Sequence, residues 1–401
     1  MNTLLIKKHL ALICIMMFSS FFYSISAQIK FQMPDSTQTL LQRLSKNQRD
    51  IEWAHMNLQM ATSGSAMLRG WSMEECSFDV QRVRMYISGK INDKFSYDYR
   101  QTFNKYSSRK SPMDKLEGTL EVASISWQMN KRLNLTAGKM AVQFGGYEFY
   151  ADPINIREYT DFSLTMPGYL TGVNLQYDFA PSQSFNFQVV NAQLGGMDEE
   201  FPQPLPEGME ESKFPMMATV NWDGRFMDDA LQFRYSLSYA QQARHNNIFY
   251  FTIGNMFRKN GFFGYLDFMY SREDLDSKGY ISSMVPADDV TPRTLRNVDY
   301  YTAIAHLSYD LSPHFTVYAR GAFELGNIFK SSQNLSSGVY RRVWNGQLSA
   351  EYKPMKDKGL VAYIHLFYKN THNTNLARIH GAHSYNQQKV ALGLAYTLPV
   401  F

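Results

Sequence analysis

Arginine recurs in this chain on the polar phase of segments that alternate polar with apolar residues. Arg82 and Arg84 stand out of phase with Val83, Met85 and Ile87, Arg234 alternates with Phe233 and Tyr235, and Arg320 with Ala319 and Gly321. Arg100 shares its phase with Asp98, while the phase of Arg258 is less defined. A guanidinium stays charged at every physiological pH, so such a row attracts and sorts anions and makes no bonds. Asp98, Asp178, Asp267 and Glu324 sit where they can pair with these arginines. Two outcomes are therefore open: an anion-attracting wall, or paired charges that keep a surface wet without forming a site.

Bond-making chemistry is poorly provided for. His306 falls on a polar phase and His365 on a less certain one, but there is no Gly-x-Ser-x-Gly segment and no adjacent acid to complete a nucleophile pair. His372, His380 and His383 gather in one segment without the spacing that a metal on a rigid element requires. Beyond Cys14, which lies in the N-terminal apolar run, the one cysteine is Cys76, whose neighbours Glu74 and Glu75 disfavour its thiolate. We assign no catalytic residue, metal or cofactor, and the formal charge of +4 over 401 residues names no nucleic-acid partner.

The elements that must hold the arginines begin with an export signal. Lys7 and Lys8 precede an apolar run from Leu10 to Phe22 that ends in Ser24, Ser26 and Ala27, which predicts cleavage after residue 27. Residues 28–50 are expected to form a periplasmic segment, with Leu40, Leu41 and Leu44 at helical spacing. From residue 51 to 401 no stretch approaches the continuous apolar length of a membrane helix. Two-residue alternation recurs instead, as in Leu231, Phe233, Tyr235, Leu237 and Tyr239 against Gln232, Arg234, Ser236 and Ser238. That is the pattern of a strand with lipid on one face and water on the other.

Turn signals divide these segments into about sixteen strands of an all-β, transmembrane antiparallel β-barrel. Tight turns are expected near Asn92, Asn130, Pro181, residues 223–229, Asn260, Pro313 and residues 354–358, on the side of the termini. Longer connections are expected at 62–77, 105–115, 145–168, 194–214, 272–297, 326–339 and 371–385, with one short one at 244–247. Trp53, Trp127 and Trp344 are candidates for the interfacial aromatic belt. The last strand breaks phase at Phe401, and a bulge at Pro399 is expected to reset it. A soluble sandwich or propeller is the competing class. The absence of a fixed repeat and the regular exchange of short and long connections count against it.

The block Leu133–Ala192 (LNLTAGKMAVQFGGYEFYADPINIREYTDFSLTMPGYLTGVNLQYDFAPSQSFNFQVVNA) resembles the phosphate-selective porin O and P family, and Phe78–Phe103 resembles its first hairpin. The positions that carry the likeness are Leu135, Gly138, Lys139, Phe144 and Gly145. The resemblance implies a sixteen-stranded, trimeric outer-membrane channel whose third loop, here Gly145–Gly168, folds into the lumen. That loop holds Glu148, Asp152, Glu158 and Asp161 against Arg157. Its own charge is acidic, whereas an anion filter calls for a basic ring.

The expectation is a porin in the bacterial outer membrane, bounded by lipid and lipopolysaccharide and passing small hydrophilic solutes, among them anions such as phosphate. An anion-specific channel and a surface adhesin or scaffold are the alternatives. The acidic segment 195–214 is open between simple hydration and divalent-cation binding at the outer surface.

Overall fold

The computed structural model describes residues 54–400, apart from 71, 105–118, 153, 193–195, 285–292, 333–334 and 356–358. The signal sequence, the 28–50 segment, Trp53 and Phe401 lie outside the described residues. Strands β1 (His55–Arg69), β2 (Ser72–Lys90), β3 (Phe95–Thr102) and β4 (Leu120–Gln128) are followed by β5 (Leu133–Ala141), β6 (Tyr169–Ala180), β7 (Gln183–Asn191) and β8 (Met216–Phe226). Then come β9 (Leu231–Ala243), β10 (Asn246–Lys259), β11 (Phe262–Leu275) and β12 (Arg296–Ser312). The last four are β13 (Phe315–Ile328), β14 (Gly338–Tyr352), β15 (Leu360–Asn373) and β16 (Tyr385–Pro399). Each pairs antiparallel with its sequence neighbours, and β16 closes on β1 from Asn57 opposite Pro399 to Arg69 opposite Gln387. Closure leaves no open edge in the bilayer, the condition under which a sheet can stand in hydrocarbon.

The alternation sorts side chains as the sequence predicts. On β13, Phe315 and Val317 face outward while Thr316, Tyr318, Arg320 and Glu324 are buried inside. Trp127 stacks on Phe95 and Trp344 packs at a tilt against Phe323, all four on the outer phase of their strands, which suits an interfacial role. The Asn260–Gly261 turn takes positive φ at both positions, the twist that a two-residue hairpin favours.

Two expectations need correction. Residues 62–77 are not a long loop, because β1 and β2 continue through them until Arg69 pairs with Ser72. Their small polar run looks like a loop, yet β16 and β2 supply a ladder on both sides of β1. The bulge at Pro399 is also absent, since the β1–β16 register runs unbroken and Val400 N–H donates to the Met56 carbonyl. Val390 and Leu394 face outward, with Ala391 and Ala395 buried inside.

The main apolar core lies inside the barrel. The third loop (142–168) and the loop after β11 (276–295) bring in Val142, Phe144, Phe162, Ile281 and Leu295 against Tyr250, Met269, Val298 and Ile304 of β10–β12. Within the second loop, Lys278 pairs with Glu273 at 2.6 Å, both almost wholly buried, and its ammonium lies 4.5 Å above the Phe162 ring. The acidic segment 195–214 docks here too: Phe201 packs with Ala243 and Leu275, and Thr294 N–H donates to the Pro204 carbonyl at 2.8 Å. One side of the lumen is therefore packed with buried apolar side chains. The side of β1–β5, β15 and β16 holds only the small core cluster of Ala61, Ile154 and Ala395 among the described residues, and we read it as the water-filled side.

Candidate functional site: the constriction

The third loop enters the lumen at Val142 and carries two short helices, α1 (Tyr147–Tyr150) and α2 (Asp161–Leu164). Wall carboxylates receive their N-terminal backbone N–H groups, which a helix cannot satisfy by itself. Asp267 accepts from Glu148 N–H at 2.8 Å, and Glu324 accepts from Asp161 N–H at 3.1 Å and Phe162 N–H at 3.0 Å. Gly146 permits the first contact, because a Cβ there would stand 2.3 Å from the Asp267 carboxyl carbon. The loop's own acids reach back to the wall. Glu148 pairs with Arg320 and also accepts from Thr160 N–H at 2.7 Å, while Asp161 pairs with Arg341 and Lys369. Burial would raise the Asp161 pKa, but these two cations outweigh it and hold the carboxyl below its usual range.

The rest of the loop is tied more loosely. Asp152 accepts from Arg84 Nη1 at 3.2 Å and Gln59 Nε2 at 2.9 Å, and Glu158 accepts from Lys389 at 2.7 Å. Arg157 pairs with Glu351 at 2.9 Å while lying over the Tyr363 ring. The five loop residues read from the sequence as constriction candidates thus all project onto the wall. The loop's acidity is spent on cations of the barrel.

The six wall arginines divide into two groups. Arg84 pairs with Glu121 at 3.0 Å as well as with Asp152, and Arg100 pairs with Glu121 at 3.1 Å. Arg234 pairs with Asp223 at 2.8 Å and lies over the ring of Tyr150, whose hydroxyl burial pushes up to about 12, keeping it a neutral donor to the Val142 carbonyl. Arg320 is taken by Glu148. Arg82 and Arg258 form no ion pair among the described residues; the buried Nη1 of Arg82 has no hydrogen-bond partner and Arg258 lies over Phe263.

Pairing is therefore real for four arginines, but not with the acids expected. Asp98 and Asp178 accept from Tyr86 and Gln176, and Asp267 and Glu324 hold loop backbone. Sequence reasoning missed Glu121, Asp223, Arg341, Lys369 and Lys389. A register shift between Arg100 and Gln101 hides the phase of Glu121, whereas Arg341 and Lys389 lie on strands whose alternation was open to reading. Of the positions that carry the family likeness, Phe144 is buried in the core, and Gly138 has φ +124° with Ala123 O only 2.2 Å from where a Cβ would stand. Only glycine fits there.

Two cavities flank the loop and share Tyr150, Ala151 and Asp152. The first, about 370 Å³, is lined by Arg82, Arg84, Arg100, Glu121, Asp152 and Tyr159, among others. Three guanidiniums there face two carboxylates, which leaves one positive charge uncompensated among the described residues. The second, about 390 Å³, lies toward the tight-turn end and includes Arg258, His306, Tyr147 and Tyr318. Among the described residues no group of three His, Cys, Asp or Glu is placed to hold a metal ion.

A closed sixteen-stranded barrel with polar walls, an apolar exterior and a loop narrowing its lumen defines an outer-membrane channel protein. The family model for phosphate-selective porin O and P matches residues 70–398, and the chain belongs to that family, which places it in the bacterial outer membrane. No curated protein sequence matches it. Among solved structures it is similar to the outer membrane channel DcaP of Acinetobacter baumannii, with TM-score 0.58 and 10% identity over 87% of this chain and 99% of that one. It is also similar to an anion-selective porin from Comamonas acidovorans, with TM-score 0.55 and 8% identity over 86% and 99% of the two chains. OmpT of Vibrio cholerae in a trimer form matches with TM-score 0.51 and 10% identity over 86% and 99%. At such identities the likeness concerns the fold.

Proposed function

We propose that this porin passes small hydrophilic solutes down their gradients with a mild preference for anions, and that Arg82 supplies that preference. One observation carries the reading: Arg82 faces the constriction cavity without a counter-charge among the described residues, while Arg84, Arg100, Arg234 and Arg320 are compensated. A phosphate-specific filter would need several free cations converging on one point. The mixed-charge wall favours general diffusion, with selectivity that fades as salt screens it over about 8 Å at physiological ionic strength. We assign the protein no chemical reaction, because family membership and its porin neighbours support transport.

Residues 1–27 are read as a removable export signal, 28–50 as a periplasmic leader, and the assembly as a homotrimer in lipid and lipopolysaccharide. Reversal potentials in planar bilayers under a potassium chloride gradient test the central claim. A chloride preference that Arg82→Gln abolishes is the expected result; cation preference in the unaltered channel, or an unmoved reversal potential in the variant, rejects it.

A further inference from the structure

We infer that the solute this constriction holds best is an organic carboxylate with an apolar body, and that inorganic phosphate is held less well. The inference rests on the proposal that Arg82 is the uncompensated cation of the constriction. Each cavity sets one guanidinium that is unpaired among the described residues beside apolar side chains. In the first, Arg82 shares the lining with Phe149, Leu164 and Met166, and the acids there, Glu121 and Asp152, are taken by Arg84. In the second, Arg258 shares it with Ile156 and Met256 and lies 4.9 Å from the Phe263 ring centroid, while Glu351 is taken by Arg157. Leu164, the last residue of α2, is 64% exposed and lines the first cavity. A leucine that the loop leaves largely exposed, while Phe162 and Met166 beside it are buried, supplies an apolar contact surface to whatever enters.

The chemistry of the two solutes decides between them. Phosphate carries more than one negative charge on a small, strongly hydrated body, and giving up that hydration is repaid only by several charge-assisted donors. Each cavity offers one guanidinium without a counter-charge among the described residues, and the apolar surface returns nothing to phosphate. A carboxylate matches a single guanidinium in bidentate fashion, and a hydrocarbon tail gains by covering Leu164 and its neighbours. Tyr150, Ala151 and Asp152 line both cavities, which puts Arg82 and Arg258 on two faces of one rib of the loop.

The test is block of the chloride current in planar bilayers by acetate, butyrate, hexanoate and inorganic phosphate at neutral pH. The half-blocking concentration is expected to fall about two- to fourfold for each methylene that the cavity buries, with phosphate weaker than butyrate. Leu164→Ser flattens the chain-length series, and because Leu164 is exposed on a loop the variant still folds. Phosphate blocking at lower concentration than hexanoate, a series that ignores chain length, or a series that Leu164→Ser leaves as steep as before each overturns the inference. The underlying reading fails separately: it is lost if Arg82→Gln leaves the reversal potential in place. If that variant moves the potential while hexanoate blocks no better than acetate, only the solute class is wrong.

Discussion

The wall from β11 to β14 and the wall from β1 to β4 meet the same loop with the same groups, guanidinium against carboxylate, and obtain different results. On the first, Arg320 with Glu148 and Arg341 with Asp161 are at most 7% exposed and lie beside the apolar core. On the second, the wall's own Arg84–Glu121 pair is equally buried at 1% and 3%, but the loop reaches it only through Asp152, which is 34% exposed, and Arg82 has no partner among the described residues. Where water is excluded, an ion pair fixes geometry, because neither charge can leave without a large desolvation penalty. Where water enters, the same pair is weak and its main product is a local field. The loop is thus anchored on its dry side and tuned on its wet side.

The largest expected effect breaks the dry side. Arg320→Leu leaves Glu148 buried with no cation, a change that costs about 3 to 5 kcal/mol when a buried pair loses one member. The variant is expected to lose its heat-resistant gel migration at lower temperature and, if it assembles, to show larger single-channel conductance as the loop swings free. Adding Glu148→Leu is expected to recover much of the stability, since two apolar residues replace the pair. A single variant as stable as the parent would mean that the loop is held by the Asp267 and Glu324 backbone contacts alone.

The wet side is sharpened by selectivity rather than stability. Arg82→Gln is expected to bring the chloride-to-potassium permeability ratio to unity or below at low salt, with little change at 1 M, where the screening length is about 3 Å. Asp152→Asn works in the opposite sense. It leaves Arg84 with Glu121 as its remaining acid and is expected to raise the anion preference by about twofold, the change open to a partly exposed charge. A fall in anion preference in that variant would show that Asp152 does more than compensate Arg84.

Much of the barrel was legible because lipid imposes a phase on every strand: the alternation at 231–239 and 315–324, the Asn260–Gly261 turn and the count of sixteen follow from it. The lumen imposes no such rule. Whether Arg234 meets Asp178 or Asp223 depends on which strands adjoin it, and β8, with Asp223, does. Loop contacts are less legible still, since Glu148 and Arg320 lie 172 positions apart and meet only after the barrel closes. The extension of β1 and β2 beyond the membrane was hidden for the opposite reason: outside lipid, a strand can be small and polar.

Lys389 and Glu158 set the lower limit of the comparison. They meet at 2.7 Å, with side chains 20% and 25% exposed, on the wet side of the loop. The distance is that of a strong hydrogen bond, so geometry alone would rank this pair with Arg320 and Glu148. Exposure ranks it lower, because water solvates both ends once they separate. Neutralising either residue, by Lys389→Gln or Glu158→Gln, is therefore expected to cost below about 1 kcal/mol and to leave heat-resistant migration unchanged. A double-mutant cycle measures the coupling directly. A coupling near that of a buried pair would place the boundary between dry and wet lumen on the other side of β16, and would confine the water path to β1–β5.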